Sequence, residues 1–152
     1  MKFIFTLLAC FVVTTAWAED SVEIESQQMS VDHLHGHAEF KGGVRLLRGD
    51  FELRCDRLLA YYHNNELQRA EAFGRVRMQQ GIKHGASKRA TFNRQNNILT
   101  LIGEASVEDK DGVIRGETIT HNIKTKHTQV TQGSSGRVRL SIESNDQTDK
   151  KP

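Results

Sequence analysis

Phe40-Lys41-Gly42-Gly43-Val44 returns twice along the chain, as Phe73-Gly74-Arg75-Val76 and as Ile102-Gly103-Glu104-Ala105. Each copy sets an apolar residue before a glycine and a small apolar residue two positions after it. The glycines at 42, 74 and 103 stand 32 and 29 residues apart. A second mark lies between them: Leu53-Arg54-Cys55, His84-Gly85-Ala86 and Ile114-Arg115-Gly116 place a small residue at 55, 85 and 116. A ring follows each mark, at Tyr62, Phe92 and His121. Self-similarity at this period predicts stacked supersecondary units, none of which can bury its apolar face alone. The expected molecule is an elongated β-structure, not a globule around a pocket.

Between the marks the chain alternates with period two. Val22 and Ile24 alternate with Glu23 and Glu25, Phe51, Leu53 and Cys55 with Glu52 and Arg54, and Val138, Leu140 and Ile142 with Arg137, Arg139 and Ser141. No stretch sustains an apolar i, i+3, i+4 pattern. Turn residues separate the runs, as in Arg48-Gly49-Asp50, His63-Asn64-Asn65, Gln80-Gly81, Lys110-Asp111-Gly112 and Gly133-Ser134-Ser135-Gly136. The pattern predicts an all-β domain of antiparallel strands with one wet and one dry face. A repeat that never closes leaves free strand edges at both ends, at Val22 to Ile24 and at Val138 to Ile142.

The first residues read as an address. Lys2 precedes an apolar run from Phe3 to Val13, and Ala16-Trp17-Ala18 is an A-x-A cleavage signal. Residues 1–18 are thus expected to be a cleaved signal peptide, residues 19–142 the folded domain and residues 143–152 a disordered polar tail. Leu7-Leu8-Ala9-Cys10 resembles a lipoprotein site, but Phe11-Val12-Val13 carries the apolar run past the cysteine. The run is too short to span a bilayer. A secreted, periplasmic protein is the expectation.

Composition narrows function. The chain has 21 Lys and Arg against 19 Asp and Glu. That balance gives no electrostatic case for nucleic acid, which asks for a clustered basic face. Cleavage would leave Cys55 as the one cysteine, so it is read as a buried small hydrophobe. His33, His35 and His37 could share a strand face and chelate a metal, but Asp32 and Gly36 among them read as a solvated hairpin turn. No nucleophile elbow, P-loop or dinucleotide fingerprint is present, so no enzyme, cofactor or metal is expected. Arg45, Arg48, Arg54, Arg57, Arg75, Arg77, Arg137 and Arg139 read mainly as a solvated outer face. Some of them could instead form a rim for anionic groups such as phosphate.

The dry face carries the functional expectation. Ile24, Phe40, Phe51, Tyr62, Phe73, Met78, Phe92, Leu101 and Ile119 are its candidate groove residues, with Leu99 and Val107 beside them. Two readings stand: side chains fill the space between two sheets, or they leave a groove for an elongated apolar ligand. The candidate edge residues for pairing with other strands are Val22, Ile24, Val138 and Leu140.

Ile24-Glu25-Ser26, Ser30-Val31-Asp32 and Phe40-Lys41-Gly42-Gly43-Val44 together resemble the opening of the OstA-like domain family. Gly85-Ala86-Ser87, the run from Leu99 to Ala105, Ile114 to Thr120 and Gly136-Arg137-Val138 continue the resemblance in order. It implies an open, twisted β-jellyroll of two antiparallel sheets with a V-shaped apolar groove. It implies a non-catalytic carrier that binds lipopolysaccharide by its acyl chains and passes it from the inner to the outer membrane. The implied partners are LptC-like and LptD-like domains and further copies of the chain, joined head to tail. The cleavage signal, and a chain that stops at Pro152 with no barrel, fit the free bridge component best. Gly43 departs from the asparagine usual in the family. The rival from another class is a structural envelope scaffold with a filled core.

Overall fold

The computed structural model describes residues 21–132 and 137–142. The expected signal peptide, the polar tail and the 133–136 loop lie outside them. Ten strands run β1 (Val22–Glu25), β2 (Gln28–Asp32), β3 (His37–Arg48), β4 (Phe51–His63), β5 (Glu66–Gln80), β6 (Lys83–Asn93), β7 (Ile98–Asp109), β8 (Gly112–Asn122), β9 (Thr128–Thr131) and β10 (Arg139–Ser141). All belong to one antiparallel sheet in the order β1-β3-β4-β5-β6-β7-β8-β10, with β2 also on β3 and β9 also on β8.

The expected two sheets are two halves of this one. Each long strand bends in the middle, and the register slips between Lys41 and Val44, Phe73 and Val76, and Ile102 and Ala105. Those are the three glycine marks. Gly42 and Gly43 have φ of 81° and 55°, Gly74 and Arg75 78° and 46°, Gly103 and Glu104 82° and 47°. Two successive left-handed residues reverse the pleat, and each strand passes from one layer into the other. The first must be glycine: a Cβ on Gly74 would stand 2.5 Å from the Asp56 carboxylate, and one on Gly42 2.6 Å from Gln27 Oε1. The second tolerates a side chain, as Arg75 and Glu104 show, and a Cβ on Gly43 would meet nothing within 4 Å.

One layer holds β1, the second halves of β3, β5 and β7, the first halves of β4, β6 and β8, and β10. The other holds β2, the complementary halves and β9. Their inner faces meet in one core with Leu58, Ala60, Val76, Leu99, Leu101 and Ile119 at 0 % exposure. The sheet does not close. Among the described residues β1, β2, β9 and β10 each pair on one side only.

The structure corrects the register of the second mark. Cys55, Ser87 and Gly116 occupy equivalent sites, opposite Val44, Val76 and Ala105. They are 32 and 29 residues apart, the same spacings as the bend glycines. Gly85 is one pleat away, and a Cβ there would meet Met78 Cγ at 2.5 Å. The rings shift likewise: Ala60, Phe92 and His121 are equivalent, and Tyr62 lies one pleat beyond Ala60. A two-residue error preserves the face, because side chains alternate.

Candidate functional site: the cleft between the layers

Two rims can be told apart. Along the bends the layers are joined by the chain itself. Asp56 holds Arg75 at 2.7 Å and Glu104 holds Lys88 at 2.8 Å, each pair tying a bend to the neighbouring strand. Opposite the bends lies the mouth, where turns of the two layers face each other. There, among the described residues, side chains of one layer bond side chains and carbonyls of the other. Arg48 Nη1 donates to Asn97 Oδ1 at 2.7 Å, and Lys126 Nζ to Asp50 Oδ2 at 3.1 Å. Lys83 Nζ donates to the Lys126 carbonyl at 3.1 Å.

The centre of this joint is buried and polar. Gln80, 4 % exposed, ends the inward row Val76-Met78-Gln80 of β5. His121, 0 % exposed, follows Ile119 on the inward row of β8. The Gln80 amide donates to Asp50 Oδ1 at 2.8 Å and to the Ile123 carbonyl at 3.1 Å. Its oxygen then faces His121 Nε2 at 2.8 Å. An amide oxygen only accepts, so Nε2 carries the proton and Nδ1 accepts from the Thr128 hydroxyl at 3.0 Å. Burial, assisted by the Lys83 and His127 charges and opposed by Asp50, pushes the His121 pKa down to about 4. Hydrogen bonds from Gln80 and then Lys126 hold the Asp50 carboxyl below its usual range.

Three cavities follow one another along the mouth. One of about 410 Å³ opens at the β1 end beside Val22, Tyr62 and Leu67. One of about 400 Å³ lies in the middle between Arg48 and Lys124, and one of about 370 Å³ at the β10 end beside Ile114 and Leu140. Arg94 borders the first two and Lys126 the last two, so neighbouring cavities share a cationic wall.

The candidate groove residues are brought together with one exception. Phe40, Phe51, Met78, Phe92, Leu101 and Ile119 are buried in the core between the layers, and Ile24 and Tyr62 pack half-buried against it. Phe73 is a correction: it stands on the outer face, level with Arg57 and Arg89, whose guanidinium carbons lie 5.3 Å from its ring. The glycines, not the aromatics, set the alignment. Phe73 matches Lys41 and Ile102, while Phe40 matches Ala72 and Leu101. Of the edge candidates, Val22 and Ile24 lie on β1 and Leu140 on β10, while Val138 precedes β10 and is 43 % exposed. These two strands end the same layer at opposite ends.

Gln80 and His121 were not singled out as site residues from sequence. Both are polar residues in an inward alternating row, which is the signal that could have found them. Three carboxylates near turns have different partners: Asp109 accepts from Asp111 N at 2.9 Å within its own turn, Asp50 accepts from Gln80 at the mouth and Asp56 from Arg75 at a bend. His33 and His35 lie in the β2–β3 turn, where the Asp32 carboxylate accepts from Leu34 N, His35 N and His35 Nδ1. Among the described residues no three His, Cys, Asp or Glu side chains gather as metal ligands. Cys55 is buried at a bend, its thiol pushed up to about 11 by that burial, with Sγ donating to the Arg57 carbonyl at 3.3 Å.

Comparison with known proteins places this geometry. No curated protein matches the chain by sequence. Its fold is similar to the crystal structure of LptH of Pseudomonas aeruginosa, described as the LptA homologous periplasmic component of the conserved lipopolysaccharide transport device. The TM-score is 0.74 at 14 % identity, over 82 % of this chain and 96 % of that one. The sequence profile of the family described as LptA/(LptD N-terminal domain) LPS transport protein matches residues 23–127. That span runs from β1 to the threshold of β9 and contains all three bends and the polar joint of the mouth apart from Thr128. The chain therefore belongs to the LptA/LptD N-terminal domain family of lipopolysaccharide transport proteins.

Proposed function

We propose that this chain is a periplasmic, non-catalytic bridge that receives lipopolysaccharide acyl chains between its two layers and passes them toward the outer membrane. The observation that carries the reading is an inward apolar surface that continues past the core at both open ends. Met29 and Val31 on β2 lie opposite the inward residues Phe40 and Ala38, and are 63 % and 46 % exposed. At the other end Leu140 lies opposite Ile114 and is 59 % exposed. Apolar inner residues left bare at a strand edge suit continuation into a like-folded neighbour. An LptC-like domain at one end, an LptD-like domain at the other and copies of the chain between them would extend the surface. Identical head-to-tail contacts do not close, so self-association should give filaments whose length grows with concentration in light scattering.

The scaffold reading keeps one specific support: the interior is packed by its own side chains. Lipid that enters from the side, between the ends, must part the mouth. Each acyl methylene buried contributes about 0.8 kcal/mol. Four or so therefore offset roughly 3 kcal/mol of buried polar bonds at the mouth. Photocrosslinking separates the two readings. A photoreactive residue at Phe92, in the core, should trap lipopolysaccharide in cells, and one at Arg77, on the outer face, should not. Equal labelling at both positions would refute the assignment of faces. Absence of label at Phe92 would favour the scaffold.

A further inference from the structure

The middle of the mouth gathers cations above the apolar core. Its cavity of about 400 Å³ is lined by Arg48, Arg94, Lys124 and Lys126, with Asp50 as the one carboxylate in the lining. Asp50 already accepts from Gln80 on one oxygen and from Lys126 on the other. Arg94 reaches Glu66 at 3.3 Å. Arg48 and Lys124 have no carboxylate partner among the described residues; Arg48 meets only the neutral Asn97 oxygen and lies 5.9 Å from the Phe92 ring. Gln80 and Ile123, 4 % and 7 % exposed, line the same cavity and belong to the top of the interior. Excess positive charge at a polar threshold, with an apolar interior behind it, fits an amphipathic ligand with an anionic head.

We infer that the central mouth cavity is a phosphate site for the head group of a phosphorylated glycolipid, with Arg48 and Lys124 as its main ligands and Arg94 and Lys126 beside them. The inference rests on the carrier reading and adds to it a head-group recognition element. A phosphate monoester carries up to two charges and three acceptor oxygens, which match the arginine fork and the lysine point charges. It is also a stronger acceptor than the Asn97 amide. Seating it on Arg48 removes one of the bonds that hold the mouth shut, so the head that is recognised also helps the layers part. A lipid of the same acyl pattern without phosphate gains neither effect.

The test uses the processed full chain and three probes: a lipid A carrying two phosphates, the same lipid stripped of phosphate, and inorganic pyrophosphate. Both lipids are presented in one neutral detergent. The phosphorylated lipid should bind at least about tenfold more tightly than the stripped one, the factor expected for one charge-assisted hydrogen bond. That ratio should collapse toward one in the double variant Arg48→Gln, Lys124→Gln. Lys124→Gln alone, at an exposed turn residue, guards against misfolding and should lower the ratio part of the way. Equal affinity for the two lipids overturns the phosphate site and leaves the carrier reading standing. Binding of neither lipid overturns the carrier reading and the site with it. Pyrophosphate bound as tightly as the phosphorylated lipid overturns the lipid source in favour of a free anion.

Discussion

The bends and the mouth hold the same two layers together by opposite means. At the bends the joint is covalent and local: two successive left-handed residues, the first a glycine, turn β3, β5 and β7, and exposed ion pairs such as Asp56–Arg75 decorate the turn. At the mouth the joint is made of side chains far apart in sequence, Arg48 with Asn97, Gln80 with His121 and Asp50 with Lys126. Breaking it leaves every strand ladder intact. A V that is fixed along one rim and held by a few polar bonds along the other can open without unfolding. The bends should therefore answer to stability, and the mouth to stability and loading together.

The largest expected effect is at a bend. Gly74→Val puts a β-branched residue at φ 78° with its Cβ 2.5 Å from the Asp56 carboxylate. Left-handed strain and the clash together should destabilise the fold by about 3 kcal/mol. Denaturant unfolding measures it. A loss under about 1 kcal/mol would mean that the two layers do not depend on this geometry and would break the contrast.

The mouth comes next. Gln80→Leu strands a buried imidazole N–H and takes the side-chain donor from the buried Ile123 carbonyl, at a cost of about 2–3 kcal/mol. Replacing both partners, Gln80→Leu with His121→Leu, should recover most of that, since an apolar pair leaves fewer polar groups unmet. The discriminating readout is lipid uptake. The single variant should load faster than the parent at equal folded fraction, because the joint is weaker. Unchanged loading would show that the mouth is a structural seam rather than an entrance.

The sequence disclosed the bends far better than the mouth, for a physical reason. A bend is set by adjacent residues, so its glycines recur at 32 and 29 and the strand pattern recurs with them. The inward rows were also legible, since alternation fixes a face even when the mark is taken at Gly85 instead of Ser87. Phe73 escapes a reading by aromatics because Lys41 stands between Phe40 and its glycine while Phe73 adjoins its own, and one residue flips the face. The mouth has no such local grammar. Asp50, Asn97 and Lys126 are turn residues that meet only once six strands have stacked. Their sole trace is Gln80 and His121 as polar residues in apolar rows.

Mild acid should act on the mouth before it reaches the carboxylates of the bends. His121 is held neutral, with its pKa lowered to about 4 against an ordinary value of 6.5. The unfolded chain binds the proton more readily, so this contribution is fully present above about pH 6.5 and is lost as pH falls toward 4. Between pH 7 and pH 5 the loss should be about 2 kcal/mol. The groups that face the ring are Thr128 and His127 from the β9 side, Lys83 at the start of β6, Gln80 at the end of β5 and Asp50 from the β3–β4 turn. His121→Leu should flatten this part of the stability–pH curve. A curve of the same shape in the variant would assign the acid sensitivity to other groups.

The smallest effect returns to a bend and sharpens what the repeat means. Cys55 sits at the inner side of one bend, and Ser87 occupies the equivalent site of the next. Cys55 Sγ donates to the Arg57 carbonyl at 3.3 Å, and Ser87 Oγ to the Arg89 carbonyl at 2.8 Å, two residues onward in both cases. A serine at 55 would thus find a partner already in place. The usual penalty for burying a lone hydroxyl, about 1–3 kcal/mol, does not apply. Cys55→Ser should change stability by under about 1 kcal/mol and leave loading unchanged. The measurement is a denaturation midpoint under reducing conditions, where a disulfide between copies cannot contribute. A loss above about 2 kcal/mol would show that the two bends are not interchangeable, and that the repeat conserves spacing without conserving the local hydrogen bond.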